Sequence, residues 1–455
     1  MTQFISQNPF TESVVMHYPI LTDAELQDQL HRTTAAQLNW RKLSIAQRAD
    51  CFTKLAELIT ENRPQLARLA SLEMGKTFHE ALAEINKCTT ACKYYADHTA
   101  EILRPIQSIS DTGKQVTIQY EPMGVVLGIF PWNFPYWQVI RSAVPVLMAG
   151  NAMLVKPSPN VPQCALALQE LFVKAGIPED AIQTVFINET QIAALISDDR
   201  IKACTLTGSE SAGAAVAARA ASYIKKTVLE LGGSDPFIVR SDAPVDLAVD
   251  TAITARFQNN GQSCIASKRF ILHHSIADEF LHKLTKKLDE LIVGNPLEAA
   301  TNVGPLARKD LMHKLSQQVE KTIAQGAKLF YQHPQLPEKG FFYPPTILTH
   351  IPPHSPAYAE ELFGPVISVF VVDNDSEAIA IANDTTFGLG ASVWSNNMNT
   401  AIKIAESLEC GQVFINGLVK SHTAYPFGGV KHSGTGRELG EWGLKEFCNV
   451  KTIWV

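Results

Sequence analysis

No apolar run in the 455-residue chain approaches the roughly 20 residues that a membrane span needs, which argues against an integral membrane protein. There is no basic block either. The 39 Lys+Arg stand against 45 Asp+Glu, for a net charge of −6, and mild acidity of this kind argues against nucleic acid as the main partner. The eight cysteines, at 51, 88, 92, 164, 204, 264, 410 and 448, contain no CxxC pair and no disulfide-framework spacing, so reduced thiols are expected. Cys88 and Cys92, with His98 nearby, are followed by no second ligand pair at zinc-site spacing, and no metal is expected. The opening MTQFISQNPFTESVV lacks the basic and apolar regions of a signal peptide, which gives a cytoplasmic expectation. Charged residues make up only 18% and hydrophobic ones 46%, a globular composition, and the length points to two or more domains.

What is present is an alternation of strand and helix. Ser44 to about His98 carries Leu, Ile and Ala at helical spacing, with Ser44 as a candidate N-cap. KQVTIQYEPMGVV reads as an extended arm. VVLGIF, AMLVKPS, TVFI, KACTLTG and TVLELGG then read as strands, separated by helical stretches that include one from Asn133 to Met148. This rhythm predicts a doubly wound parallel α/β sheet. A second α/β run opens at DPFIVR and continues through VVDND, VWSNN and VFING. The β-like tail CNVKTIWV is expected to pair either with its own sheet or with a neighbouring subunit. The expected domains are 1–111 with 127–229 for cofactor binding, 230–425 for catalysis, and 112–126 with 440–455 as a small β oligomerisation arm.

The G-x-G-x-x-G phosphate loop is missing after every predicted strand. In its place TGSESAG lies between a strand and an Ala-rich helix, where Gly208 would let a phosphate approach and Ser209 could add a hydroxyl donor at a helix N-terminus. The same residues can serve as a plain helix cap. Lys156 ends a strand at the carboxyl edge of the same sheet, where open α/β sheets bind ligands, or is an ordinary surface lysine.

Among the cysteines, only Cys264 sits in a polar, glycine-containing run, QNNGQSC, which gives a thiolate room to attack and offers backbone N–H groups to an oxyanion. Glu230, in LELGG, is an acid at an apolar strand end. Burial there raises a carboxyl pKa towards the range of a general base, although a paired structural carboxylate gives the same pattern.

These segments occur together with others. PWNFP, TGSESAG, LELGG, GQSC, EELFGPV and PFGGVKHSGTGRE stand in the order seen in the aldehyde dehydrogenase superfamily, and Cys264 follows Glu230 by 34 residues, as base and nucleophile do there. The resemblance covers essentially the whole chain. It implies that Cys264 is the nucleophile forming a thiohemiacetal and then a thioester, that Asn133 holds the oxyanion, and that Glu230 activates the hydrolytic water. It further implies that Trp132, Lys156, Gly208, Ser209, Glu361 and Phe363 contact NAD or NADP, and that the chain assembles as a homodimer or homotetramer. Relatives that use coenzyme A typically lack the base, so Glu230 implies a free acid as product.

The tail GRELGEWGLKEFCNVKTIWV resembles the short bacterial succinate-semialdehyde dehydrogenases. A helix starting at Asn133 would place Trp137 and Arg141 on the same face, and an arginine suits a substrate carboxylate. The alternative for Arg141 is a structural ion pair. Ser421 resembles a second carboxylate contact. Gln258 stands where some succinate-semialdehyde enzymes have another arginine, leaving glutarate semialdehyde or other aliphatic and amino aldehydes open. A non-catalytic protein on the same fold is the remaining alternative. Ala266 excludes a C-x-C redox pair. Pro159 replaces the glutamate that holds the adenine ribose in many NAD-preferring relatives, which leaves room for a 2′-phosphate.

Overall fold

A computed structural model describes residues 3–455; Met1 and Thr2, which open the expected cofactor domain, lie outside the described residues. Two parallel sheets carry the fold. In the first, the strands run in the order Gly434–Thr435, Lys226–Glu230, Ile201–Thr207, Val125–Ile129, Ala152–Lys156, Ile182–Thr184, and only the edge strand Gly434–Thr435 is antiparallel. Successive side chains of a strand face opposite ways. Val126 therefore packs with Trp137–Met148 and the helices Ile45–Glu61 and Phe78–Ile102. Val125 and Leu127 pack on the other face with Leu26, Leu195 and Val216. With both faces covered, the strand Val125–Ile129 is buried throughout, as a parallel sheet requires.

The second sheet has seven strands, ordered Lys328–Gln332, Thr346–Thr349, Val366–Val372, Ser267–His273, Asp235–Val239, Gly390–Trp394, Gln412–Ile415. It too is parallel except at one edge. Phe237 and Phe270 stack on one face, with ring centroids 4.8 Å apart, beneath the helices Val245–Phe257 and His274–Asp289.

Two expectations need correction. The helix expected from Asn133 begins at Trp137, because Pro135 disfavours helical backbone at Phe134, so Asn133 sits in the preceding turn. Val125 and Val126, expected in the arm, belong to the first sheet, while Ile106–Ile109, expected in the cofactor domain, joins the arm. The tail strand Cys448–Trp454 pairs with Gln115–Pro122 of its own chain, Val450 opposite Tyr120. Ser44 does cap its helix, in a capping box with Gln47. No described helix is long and apolar enough to cross a membrane.

Candidate active site

The segment before Cys264 is bent by three consecutive residues in the left-handed region, Asn259, Asn260 and Gly261, at φ 58°, 58° and 73°. Asparagine tolerates this conformation because its short amide bonds locally. Asn259 Nδ2 donates to the carbonyls of Asn133 and Gln262, both at 2.9 Å. Asn260 Nδ2 reaches the carbonyls of Gly75 and Pro305. At Gly261 a Cβ would lie 2.6 Å from the Gly364 carbonyl carbon, so the cysteine loop and the EELFGPV loop approach at a distance only glycine permits. Arg256, fully buried, joins the two loops by donating to the carbonyls of Gly261, Leu362 and Val366 at 3.1, 2.8 and 2.6 Å. The sequence gave no sign of this bracket, since a lone arginine near a helix end has no local signature.

Asn133 is held on three sides. Its Nδ2 donates to the Gln262 carbonyl at 3.0 Å, its Oδ1 accepts from Gln138 Nε2 at 2.9 Å, and its own carbonyl accepts from Asn259. Gln138 thereby sets which end of the carboxamide is nitrogen, and one of the two amide N–H bonds is left for another acceptor.

Cys264 is half-buried and stands where two cavities meet, for it and Gln138 line both. Burial pushes its thiol up to about 11, opposed by Arg141 and Lys268. Lys268 Nζ donates to the carbonyls of Ser263 and Cys264 at 2.7 Å and pairs with Glu361 at 3.0 Å. Glu361 also accepts from the Gly233 N–H at 3.1 Å.

The first cavity, ≈ 420 Å³, is an open cleft bordered by Trp132, Gly208, Ser209, Glu361 and Phe363. Ser209 caps the helix Glu210–Ala221, its side chain accepting from Ala212 N–H. That helix end turns its remaining N–H groups and positive dipole towards the cleft. Trp132 and Phe363 pack edge to face at 5.8 Å. A Cβ at Gly232 would meet Glu361 Oε2 at 2.8 Å and Phe387 at 3.0 Å, so glycine there lets both side chains close against the backbone of the cleft wall. A helix N-terminus and a carboxylate bordering one cleft together suit a dinucleotide. Lys156 does not border the cleft itself; it is half-buried above Phe4, 5.4 Å from the ring centroid, and burial lowers its pKa to about 8.

The second cavity, ≈ 290 Å³, is lined by Phe134, Trp137, Arg141, Gln258 and Ser421. Arg141 is here, but not as an unengaged clamp. Its Nε pairs with Glu438 at 2.5 Å and a terminal nitrogen donates to Thr207 at 3.1 Å; both partners of the ion pair are nearly inaccessible. The alternative of a structural ion pair is what the geometry contains. The cation that the sequence did not single out is Lys87, on the helix Phe78–Ile102. Its Nζ donates to Ser421 Oγ at 2.5 Å and lies 4.5 Å from the Trp137 ring centroid. Ser421 therefore reaches the cavity in the company of a charge. Cys88 and Cys92 are buried on that same helix, where they behave as small apolar residues.

Glu230 ends its strand opposite Gly434, and Gly428 is close enough that a Cβ there would sit 2.8 Å from Glu230 Oε1. Both carboxylate oxygens are buried and find no hydrogen-bond partner among the described residues. Burial raises the pKa well above the usual carboxyl value, against the pull of Arg141. Glu230 borders neither cavity, but its charge is near enough to act on the Cys264 thiol, and an unpartnered buried acid is a common mark of a functional site.

The profile of the aldehyde dehydrogenase family matches residues 2–453. The chain belongs to the aldehyde dehydrogenase family. Among similar proteins, one from Synechocystis sp., named probable succinate-semialdehyde dehydrogenase (NADP+), is 49% identical over 448 residues, covering 98% of each chain. A succinate-semialdehyde dehydrogenase (NADP+) of Mycobacterium leprae is 45% identical, again covering 98% of each. The solved structure of succinic semialdehyde dehydrogenase from Streptococcus pyogenes in complex with NADP+ superposes with a TM-score of 0.97 at 35% identity, over 99% of both chains. The doubly wound fold expected from the sequence is the fold of these dehydrogenases.

Proposed function

We propose that this aldehyde dehydrogenase oxidises succinate semialdehyde to succinate with NADP+, through Cys264. The observation that carries the reading is the position of the thiol: it lies between an open cleft edged by a helix N-terminus and a cavity with an aromatic wall and cationic side chains. Relatives and a solved neighbour that carry this activity in their names support it over the full chain.

In this reading Cys264 attacks the aldehyde carbon after losing the proton that burial holds on it. The Asn133 amide and the Cys264 backbone N–H take the developing oxyanion. Trp132, Gly208, Ser209, Glu361 and Phe363 would hold the cofactor, with Lys156 near the adenine ribose. Bound NADP+ supplies the hydride acceptor. Glu230 takes a proton from the water that releases the acyl group from sulfur. Trp137, Arg141 and Ser421 shape the pocket around the substrate chain.

We further propose that the exposed arm, with Ile109, Trp454 and Val455 at 75%, 58% and 80% accessibility, is covered by a second copy in a homodimer or homotetramer. Eight free cysteines suit a reducing cytoplasm.

A turnover assay with succinate semialdehyde, glutarate semialdehyde and butanal, each with NADP+ and NAD+, tests the function. The expected order puts succinate semialdehyde with NADP+ first in kcat/KM. A flat profile across aldehydes would remove the semialdehyde assignment.

A further inference from the structure

The charges around the second cavity do not cancel. Glu84 borders it, but its Oε2 pairs with Lys76 at 2.5 Å and its Oε1 accepts from the backbone N–H groups of Tyr136 and Trp137. Glu80 accepts from Asn259 N–H and Thr77 Oγ1, and burial pushes its pKa up, towards the neutral form. Arg141 is bound to Glu438. Lys420, at the rim, is exposed and solvated. Lys87 alone combines a place inside the cavity with the lack of a carboxylate partner among the described residues; its contacts are a hydroxyl and an indole face.

We infer that Lys87 is the residue that recognises the anionic end of the substrate, pairing its ammonium with a carboxylate while the carbonyl end lies at Cys264. The inference rests on the proposed semialdehyde reading and names the group that selects for it. A shielded ammonium is poorly solvated, so an incoming carboxylate gains a strong charge-assisted contact. The Trp137 ring and Ser421 fix where the ammonium sits. Ser421 accepts from Lys87 and so keeps its own O–H free to donate to the same carboxylate.

The test compares Lys87→Met and Lys87→Arg with wild type. The selectivity ratio, kcat/KM for succinate semialdehyde over that for butanal, is expected to fall roughly thirtyfold or more in Lys87→Met and to be largely restored in Lys87→Arg. A second arm measures succinate as an inhibitor of butanal oxidation, whose Ki should rise in Lys87→Met by a comparable factor. A third arm uses pH. Burial and Arg141 lower the Lys87 pKa to about 8, against the pull of Glu84, Cys88 and Cys264. The wild-type ratio should therefore decline as pH rises through that value, whereas arginine does not titrate there and the Lys87→Arg ratio should stay level. If wild type shows no preference for succinate semialdehyde but Lys87→Met still abolishes succinate inhibition, the substrate assignment fails and the anchor stands. An unchanged selectivity ratio and Ki in Lys87→Met would overturn the anchor while leaving the function intact. Equal losses for both aldehydes with unchanged Ki would likewise overturn it and make Lys87 structural.

Discussion

Arg141 Nε lies 2.5 Å from Glu438 Oε2, and the two side chains are 3% and 4% exposed. A buried pair of this kind is costly to break from one side, because the remaining charge is left without compensation. Glu438→Gln should lower unfolding stability by about 3–5 kcal/mol, read from urea denaturation. Arg141→Met should cost a similar amount, while the double variant should be more stable than either single one. Additive losses in that cycle would mean that the two groups do not act as a pair.

Cys264→Ala should remove dehydrogenase activity with every aldehyde, since the other cysteines lie away from both cavities. Retained turnover above about a thousandth of wild type would place the acyl group elsewhere. Trapping of the acyl-enzyme and mass spectrometry of the peptide containing Cys264 provide an independent check.

Glu230→Gln should keep the pre-steady-state burst of reduced cofactor and slow steady-state turnover by about a hundredfold or more. Loss of both together would assign Glu230 to thiol activation. The same variant has a stability signature. Burial raises the folded-state pKa of Glu230 above the unfolded value of 4.5, so its contribution is most favourable below that value and is lost as pH rises towards the folded pKa. Glu230→Gln should therefore gain stability relative to wild type with increasing pH, and thermal melts at pH 4 to 8 measure the divergence.

Pro159→Glu should lower kcat/KM for NADP+ by about tenfold and leave NAD+ less affected, because a carboxylate would face the 2′-phosphate near Lys156. The Pro159 carbonyl already receives the Ile5 N–H at 3.0 Å, so the backbone there is held independently of the side chain. Equal effects on both cofactors would move the adenine end of the site elsewhere.

Truncation after Phe447 removes the strand Cys448–Trp454 and leaves Gln115–Pro122 with one unpaired edge. Light scattering should show loss of the native oligomer or aggregation. An unaltered oligomer would separate assembly from the arm.

The parts of the site that could be read from sequence are those whose chemistry is local. Cys264 stands out because small polar residues surround it, and Glu230 because an acid ends an apolar strand. Ser209 was legible because a cap needs only its own turn. Arg141 lines the second cavity, but its partner, Glu438, arrives from the distant C-terminal segment, and no spacing rule connects them. Lys87 was passed over for a different reason. The stretch containing it has the periodicity of a core helix, and a lysine one turn from the buried stripe looks solvated until Trp137 and Ser421 close over it. The helix starts at Trp137 and not at Asn133 because Pro135 restricts the backbone at Phe134, a short-range effect that the apolar pattern from Asn133 onwards masks.

The edge strand Gly434–Thr435 belongs to the first sheet although it is made nearly last, and the same holds for the tail strand beside Gln115–Pro122. During synthesis one edge of Lys226–Glu230 and one edge of Gln115–Pro122 must therefore stay unpaired, their other edges being held by Ile201–Thr207 and Ile106–Ile109, while the entire second sheet emerges. The site shares that delay: Glu230 remains outside its finished surroundings until the closing residues leave the ribosome. Open strand edges expose a nascent chain to misassembly, and a frameshift ahead of Gly434 would leave the first sheet, translated long before, without its closing strand.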